Sequence, residues 1–111
     1  MKLTIRKIGK VRIIELNGKL VLGTAQNLAE AFKTLVTDKQ KCILIDLRKV
    51  PYMDSSGIGE VAACRKRAKD KQVEVKLLKP DNQFDLSVEF LLGLMYGGVI
   101  FSDERDALGS F

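Results

Sequence analysis

The hydrophobic and polar positions along the chain follow two periods, one typical of β-strands and one typical of α-helices. Leu3 to Ile8 alternates between the two kinds of residue, as a half-buried strand does. Cys42-Ile43-Leu44-Ile45 is an uninterrupted apolar run, typical of a strand covered on both faces, and Asp46 closes this run. The pattern predicts five strands, at residues 3–8, 11–16, 42–47, 72–78 and 99–101.

Between these strands, apolar residues recur at the spacing of a helix. Leu28, Ala31, Phe32 and Leu35 predict an amphipathic helix over residues 25–36, with Thr24 as its N-cap. The same reasoning gives helices over residues 60–69 and 84–95, after a turn at 80–82. A last helix is predicted over residues 103–108, with Ser102 as its N-cap.

The order of the predicted elements is β-β-α-β-α-β-α-β-α. Gly9-Lys10 suits a two-residue hairpin turn, which makes the first two strands an antiparallel pair at one side of the sheet. The alternating units that follow imply parallel strands joined by crossovers. We therefore expect a single α/β domain over residues 1–111, with a mixed, largely parallel sheet of about five strands and about four helices.

Composition narrows the class of protein. The chain has 111 residues, of which 46% are hydrophobic and 30% charged, as in an ordinary globular domain. No apolar run reaches the length of a membrane span, and Met1 to Lys10 has no signal-peptide core, so we expect a cytoplasmic protein without a transmembrane segment. Cys42 and Cys64 match no metal or redox spacing and are predicted to be free, buried thiols.

The net charge of +5 is concentrated in residues 65–71, Arg-Lys-Arg-Ala-Lys-Asp-Lys. Such a run can attract nucleic acid or acidic lipid. The run contains no aromatic residue and the chain has no tryptophan, so the stacking platforms of single-strand binders are missing. We interpret the run as a solvated helix face and expect no direct contact with nucleic acid.

The most informative stretch is Tyr52-Met53-Asp54-Ser55-Ser56-Gly57-Ile58-Gly59, between a buried strand and a helix. Asp54, Ser55 and Ser56 are all residue types that cap helix N-termini. A helix that opens on hydroxyls and glycines favours an anion. In parallel sheets function tends to lie at the carboxyl ends of the strands, and the connector Leu20 to Thr24 would lie at the same edge.

Several kinds of chemistry are disfavoured at this stretch. The chain has no histidine, which excludes a Ser-His-Asp triad and a histidine-based zinc site, and we expect no metal or cofactor. Gly57 and Gly59 lack the lysine and third glycine of phosphate-binding loops. Two interpretations remain: the hydroxyls only cap a helix, or one of them accepts a phosphoryl group from another enzyme. Ser55, at or near the first helical position, would be exposed enough to accept a phosphoryl group.

Residues 50–59, preceded by Ile43-Leu44-Ile45-Asp46-Leu47, closely resemble the phosphorylation-site segment of bacterial anti-sigma factor antagonists, which are STAS domains. Length, element order and the segment Gly18-Lys19-Leu20…Thr24-Ala25 extend this resemblance over nearly the whole chain. The resemblance implies a non-enzymatic switch. The unmodified protein binds an anti-sigma factor that is also a serine kinase, phosphorylation releases it, and a phosphatase resets it.

The acceptor serine of the family maps to Ser55. The surrounding contact surface maps to Asp54, Ser56, Gly57 and Gly59, together with Val21, Leu22 and Thr24 of the connector. Many antagonists carry an acidic residue where this chain has Val21. This departure keeps an alternative open, a phosphorylation-insensitive STAS scaffold or a regulatory subunit associated with a transporter. Nothing in the sequence fixes the oligomeric state.

Overall fold

A computed structural model describes residues 1–81 and 85–111. Within these residues, nine elements follow one another in the predicted order. They are β1 (Lys2–Ile8), β2 (Val11–Asn17), α1 (Leu22–Thr37), β3 (Cys42–Lys49), α2 (Ser55–Asp70), β4 (Glu74–Leu78), α3 (Leu86–Met95), β5 (Ile100–Phe101) and α4 (Glu104–Gly109). The predicted fold class, a mixed sheet of five strands with four helices, is therefore confirmed.

The sheet has the strand order β1-β2-β3-β4-β5. The β1–β2 pair is antiparallel, whereas β2–β3, β3–β4 and β4–β5 are parallel. Gly9 in the hairpin has a φ of 58°, which a glycine adopts without steric cost. Since β3 lies in the middle of the sheet, its residues 42–47 are buried on both faces, as their apolar run predicts.

The two faces of the sheet are covered differently. The first, which we call the three-helix face, packs against α1, α2 and α3 through a core that includes Phe32, Leu47, Val61 and Tyr96. The second, the α4 face, carries a smaller cluster of Val11, Ile13, Cys42, Leu44, Leu78 and Ala107. Both cysteines are free and buried, as expected.

Several predicted boundaries and caps were wrong. Helix α1 begins at Leu22, so Thr24 lies in its first turn and Val21, not Thr24, is the N-cap. Strand β3 continues past Asp46 to Lys49, because Asp46 is ion-paired with Arg48 within the strand. Asp103, not Ser102, caps α4 through the N–H of Asp106.

The end of the turn predicted at Pro80-Asp81-Asn82 and the predicted start of the third helix at Phe84 lie outside the described residues.

The basic run of residues 65–71 is less solvated than predicted. Arg65 is half-buried over the ring of Tyr96 and donates to the carbonyl of Val75. Arg67 is half-buried too, and its side chain pairs with Glu60 at 2.5 Å.

Candidate functional site

Two helices begin side by side at the carboxyl ends of the strands. The segment before α1 and the segment before α2 run parallel through a bridge between Leu20 and Met53. The N–H of Leu20 donates to the carbonyl of Tyr52 at 3.0 Å, and the N–H of Asp54 donates back to Leu20 at 3.4 Å. The connector and the serine stretch, which we expected at the same edge of the sheet, are thus in direct backbone contact.

Asp54 joins the two helix N-termini through a single carboxylate. Its Oδ1 accepts from the N–H of Gly57 in α2 at 2.9 Å, and its Oδ2 accepts from the N–H of Leu22 in α1 at 3.1 Å. The hydrogen bond from Gly57, and then the one from Leu22, hold the pKa of Asp54 below its usual value because they favour the charged form. Helix α1 thereby obtains a cap that its own residue Val21 does not supply.

Ser55 is the first residue of α2, and its side chain is exposed, as predicted, whereas Ser56 is half-buried. Ser55 lies on the wall of a groove of about 500 Å³ between the start of α2 and the start of α3. We call this the Ser55 groove. It is lined by Pro51, Tyr52, Met53, Asp54, Ser55, Ile58, Asp85 and Val88.

The two glycines of the stretch have opposite surroundings. Gly57 is buried, and a Cβ placed there would lie 2.0 Å from the carbonyl oxygen of Leu20. Only a residue without a side chain allows α2 to approach the connector this closely. Gly59 is exposed, and a Cβ placed there would have open space around it. Gly59 is therefore the one of the two that a partner protein could reach.

The connector residues occupy three different positions. Leu22 is 77% exposed, a large apolar side chain beside Asp54. Val21 and Thr24 are half-buried. The hydroxyl of Thr24 donates to the carbonyl of Lys19 at 2.7 Å and accepts from the N–H of Val21 at 3.0 Å, so Thr24 fixes the bend that leads into α1.

The charge of the groove is negative, in contrast to the net charge of the chain. Asp54 and Asp85 are the charged residues among its described lining, and none of the lining residues is a lysine or an arginine. In the part of the chain that the structure describes, no group of three or more His, Cys, Asp or Glu residues could hold a metal ion. Within residues 1–81 and 85–111, no helix has the length and apolar character needed to cross a bilayer.

The contribution of α3 to this site was missed from the sequence. Asp85 caps α3 through the N–H of Ser87 at 2.7 Å, and Val88 lies one turn further along. Both belong to the Ser55 groove although they are some thirty residues away from Ser55 in the chain. The acidic residue just inside the predicted third helix was the available signal, because Asp is a common N-cap.

The chain belongs to the STAS domain family, whose pattern matches residues 2–89. No curated protein sequence matches the chain. Among solved structures, an anti-sigma factor antagonist of Mycobacterium paratuberculosis is similar, with 21% identity and a TM-score of 0.78, over 98% of this chain and 92% of that one.

Two further structures are similar. The phosphorylated Bacillus cell fate determinant SpoIIAA has 17% identity and a TM-score of 0.77, over 98% of both chains. A sulfate transporter family protein of Wolinella succinogenes has 18% identity and a TM-score of 0.74, over 93% of this chain and 85% of that one. At these identities the likeness concerns the fold, which resembles that of anti-sigma factor antagonists.

Proposed function

We propose that this protein is an anti-sigma factor antagonist that works by partner switching, with residues 1–111 as one STAS domain. Its unmodified form binds an anti-sigma factor of the serine kinase class, and phosphorylation of Ser55 releases it. A phosphatase restores the unmodified form. The protein itself is a cytoplasmic binding module rather than an enzyme, with no cofactor. Asp54, Ser55, Ser56, Gly59, Leu22 and the backbone shaped by Val21, Thr24 and Gly57 form the contact surface.

The observation that carries the proposal is the position of Ser55. The residue is exposed at the first position of α2, on the wall of an open groove. Asp54 fixes the first turn of this helix by accepting from the N–H of Gly57. A kinase can therefore reach the hydroxyl oxygen without any unfolding of the chain. The free amides at the start of α2 offset part of the added charge, by about 0.3–1 kcal/mol at an exposed site.

The electrostatics of the groove explain how a phosphate could act as a release signal. Phosphorylation adds a charge of about −1.5 to −2 at neutral pH. The carboxylates of Asp54 and Asp85 already line the groove, and its described lining offers no cation. A partner that covers Ser55 would have to bury the phosphate without a counter-charge from this chain, which costs several kcal/mol. A tenfold loss of affinity needs only about 1.4 kcal/mol.

The first experiment tests the modification. The protein is incubated with its cognate anti-sigma kinase and ATP, and its mass is measured. We expect one phosphoryl group on the wild type and on Ser56→Ala, and none on Ser55→Ala. Ser56→Ala is the matched control because it removes a hydroxyl from the next residue of the same helical turn. Unchanged phosphorylation of Ser55→Ala would rule out Ser55 as the acceptor.

The second experiment tests the switch. Binding to the same kinase without ATP is measured for Ser55→Ala and Ser55→Asp. We expect Ser55→Ala to retain the affinity of the wild type, and Ser55→Asp to lose at least about tenfold, which corresponds to about 1.4 kcal/mol. Equal affinities for the two variants would show that charge at this position does not control binding.

One observation favours a second candidate, a phosphorylation-insensitive STAS scaffold or a transporter-associated regulatory subunit. Leu22 and the half-buried Val21 make the connector apolar where an acidic residue is common in antagonists. An apolar rim beside Ser55 suits a permanent contact. The Ser55→Asp variant distinguishes the candidates, and Leu22→Ser, which changes the contact surface in both, shows whether the apolar rim is used. A scaffold should lose its partner through Leu22→Ser and be indifferent to Ser55→Asp, whereas a switch protein should respond to Ser55→Asp.

A further inference from the structure

Helix α3 is apolar on two opposite faces. Its inner face packs against the three-helix core through the buried Leu92 and the partly buried Val88 and Met95. Its outer face carries Leu86, Phe90 and Leu94, which are 80%, 66% and 66% exposed. A helix that is hydrophobic all round is normally covered on both sides. Within residues 1–81 and 85–111 of a single copy, no element covers the outer face of α3.

The outer face also accounts for much of the exposed apolar surface of the protein. Four of the eight large exposed hydrophobic residues in the described chain lie on α3, the fourth being Leu91 at the edge of this face. Glu89 is the one charged residue between Leu86 and Met95. An apolar patch of this kind on a small domain indicates a protein interface.

The pattern of the outer face is self-complementary. The face carries a leucine, a phenylalanine and a leucine at intervals of four residues, Leu86, Phe90 and Leu94. The order of residue types is therefore the same from either end of the helix, with Phe90 in the centre. A twofold axis beside Phe90 would bring each Leu86 against Leu94 of a second copy and the two phenylalanines together. Such isologous contact is what closed dimers require. Gly93 is exposed, with open space beyond it, and lets the second helix approach closely.

The available area fits a weak dimer. The exposed parts of Leu86, Phe90, Leu91 and Leu94 amount to roughly 500 Å² per copy, and two copies would bury roughly 1,000 Å², near the lower limit for a specific interface. An antiparallel arrangement also keeps like ends of the helix dipoles apart.

We propose that two copies of this chain pair through the outer faces of their α3 helices, packed antiparallel about Phe90. The first turn of α3 also borders the Ser55 groove through Asp85 and Val88. The second copy, seated over Leu86, would stand at the rim of that groove. The pairing does not depend on phosphorylation of Ser55, so either proposal can fail without the other.

Sedimentation velocity of the full chain over about 10–500 µM tests the pairing. We expect the average mass to rise reversibly from 12.4 kDa toward twice that value, with a dissociation constant on the order of 10–100 µM. Phe90→Lys should weaken association by at least about tenfold. The matched control is Ile8→Lys, which adds the same charge at a half-exposed apolar residue of the β1–β2 hairpin.

A mass of 12.4 kDa at every concentration would overturn the proposal and leave the face to a different protein. Equal weakening in both lysine variants would also overturn it, because the added charge alone would then explain the loss. Circular dichroism is used to check that each variant is folded.

Cysteine cross-linking supplies a second measurement that does not require disruption of the patch. Oxidation of a mixture of Leu86→Cys and Leu94→Cys chains should give a covalent dimer that contains one chain of each kind. Neither variant should cross-link efficiently alone, since the antiparallel arrangement places residue 86 beside residue 94 of the other copy. Cross-linking of Leu86→Cys alone would contradict the antiparallel arrangement, and no cross-linking in the mixture would contradict the pairing.

Discussion

The two faces of the sheet are stabilised by different forces. Among the residues that the structure describes, the three-helix face buries twenty in one cluster, nearly all of them apolar, whereas the cluster on the α4 face contains six. The α4 face adds a chain of charges instead. Arg48 pairs with Asp46 at 2.8 Å and with Glu104 of α4 at 2.9 Å, and Arg6 pairs with the same Glu104 and with Glu15.

This difference has a consequence for function. Ser55 lies on the three-helix face, where close packing of backbone on backbone fixes its position. On the α4 face, helix α4 is held to the sheet by ion pairs. Each pair depends on the geometry of both partners and is lost when either one is removed. We therefore expect geometric changes to be most damaging on the three-helix face and changes of charge to be most damaging on the α4 face.

The largest expected effect is that of Gly57→Ala on the three-helix face. The new Cβ would meet the carbonyl oxygen of Leu20 at 2.0 Å, so the connector and α2 would have to separate. We expect the free energy of unfolding to fall by about 3 kcal/mol or more. Gly59→Ala is the matched control. It has open space and should raise stability by roughly 0.5–1 kcal/mol, since alanine is the better helix former. Urea unfolding of the two variants measures the difference, and similar values would contradict the close approach.

The next largest effect is expected from Arg48→Met on the α4 face. Asp46 has a side chain that is 4% exposed, and removal of Arg48 leaves its carboxylate without its cation. We expect a loss of about 2–3 kcal/mol in the free energy of unfolding. The control removes both members of the pair, as Asp46→Leu with Arg48→Met, and should restore most of the stability. If the double variant is as unstable as the single one, packing rather than charge holds this face.

A smaller effect is expected where α3 meets α2. The hydroxyl of Tyr96 is buried and donates to the carbonyl of Val61 at 2.8 Å. Tyr96→Phe keeps the ring and loses this bond, which should lower the free energy of unfolding by about 1 kcal/mol. Tyr52→Phe, at an exposed ring beside Ser55, should leave stability unchanged. Urea unfolding would contradict the prediction if both variants behaved alike.

The sequence predicted what depends on periodicity. The order of elements and the buried run in β3 follow from the alternation of apolar and polar residues. Periodicity predicted the second helix only over residues 60–69, whereas α2 begins at Ser55, where the N-cap residue types had indicated a helix start. Val61, Cys64 and Ala68, which recur at helical spacing within the predicted helix at residues 60–69, are the buried side of α2 together with Gly57. Such patterns are local, and they report burial directly.

Pairings between distant residues could not be predicted in this way. Asp54 accepts from Leu22, which lies 32 residues earlier, and Arg6 reaches Glu104 across 98 residues. Thr24 was expected to cap α1 because its type suits that role. The helix begins earlier because a carboxylate from the neighbouring helix supplies the acceptor. Periodicity carries no information about such partners, which depend on the order of the strands in the sheet.

The smallest effect is expected at Asp54, which joins the two helix ends of the three-helix face. In Asp54→Asn one side-chain oxygen remains, so only one of the N–H groups of Gly57 and Leu22 keeps its acceptor. We expect a small decrease in the midpoint of thermal unfolding at pH 7. Asp70→Asn, at the exposed last residue of α2, is the control for loss of one charge and should not show this decrease.

The pH dependence sharpens this test. The hydrogen bonds to Asp54 lower its pKa in the folded state below the value of about 3.9 of an unfolded aspartate. The stabilisation by the charged carboxylate is therefore fully present above pH ~4 and is lost as the pH falls through the folded pKa. The difference between wild type and Asp54→Asn should be constant from pH 7 to pH 5 and should shrink below pH ~4. A difference that stays the same in acid would show that the carboxylate charge does not hold the two helix ends together.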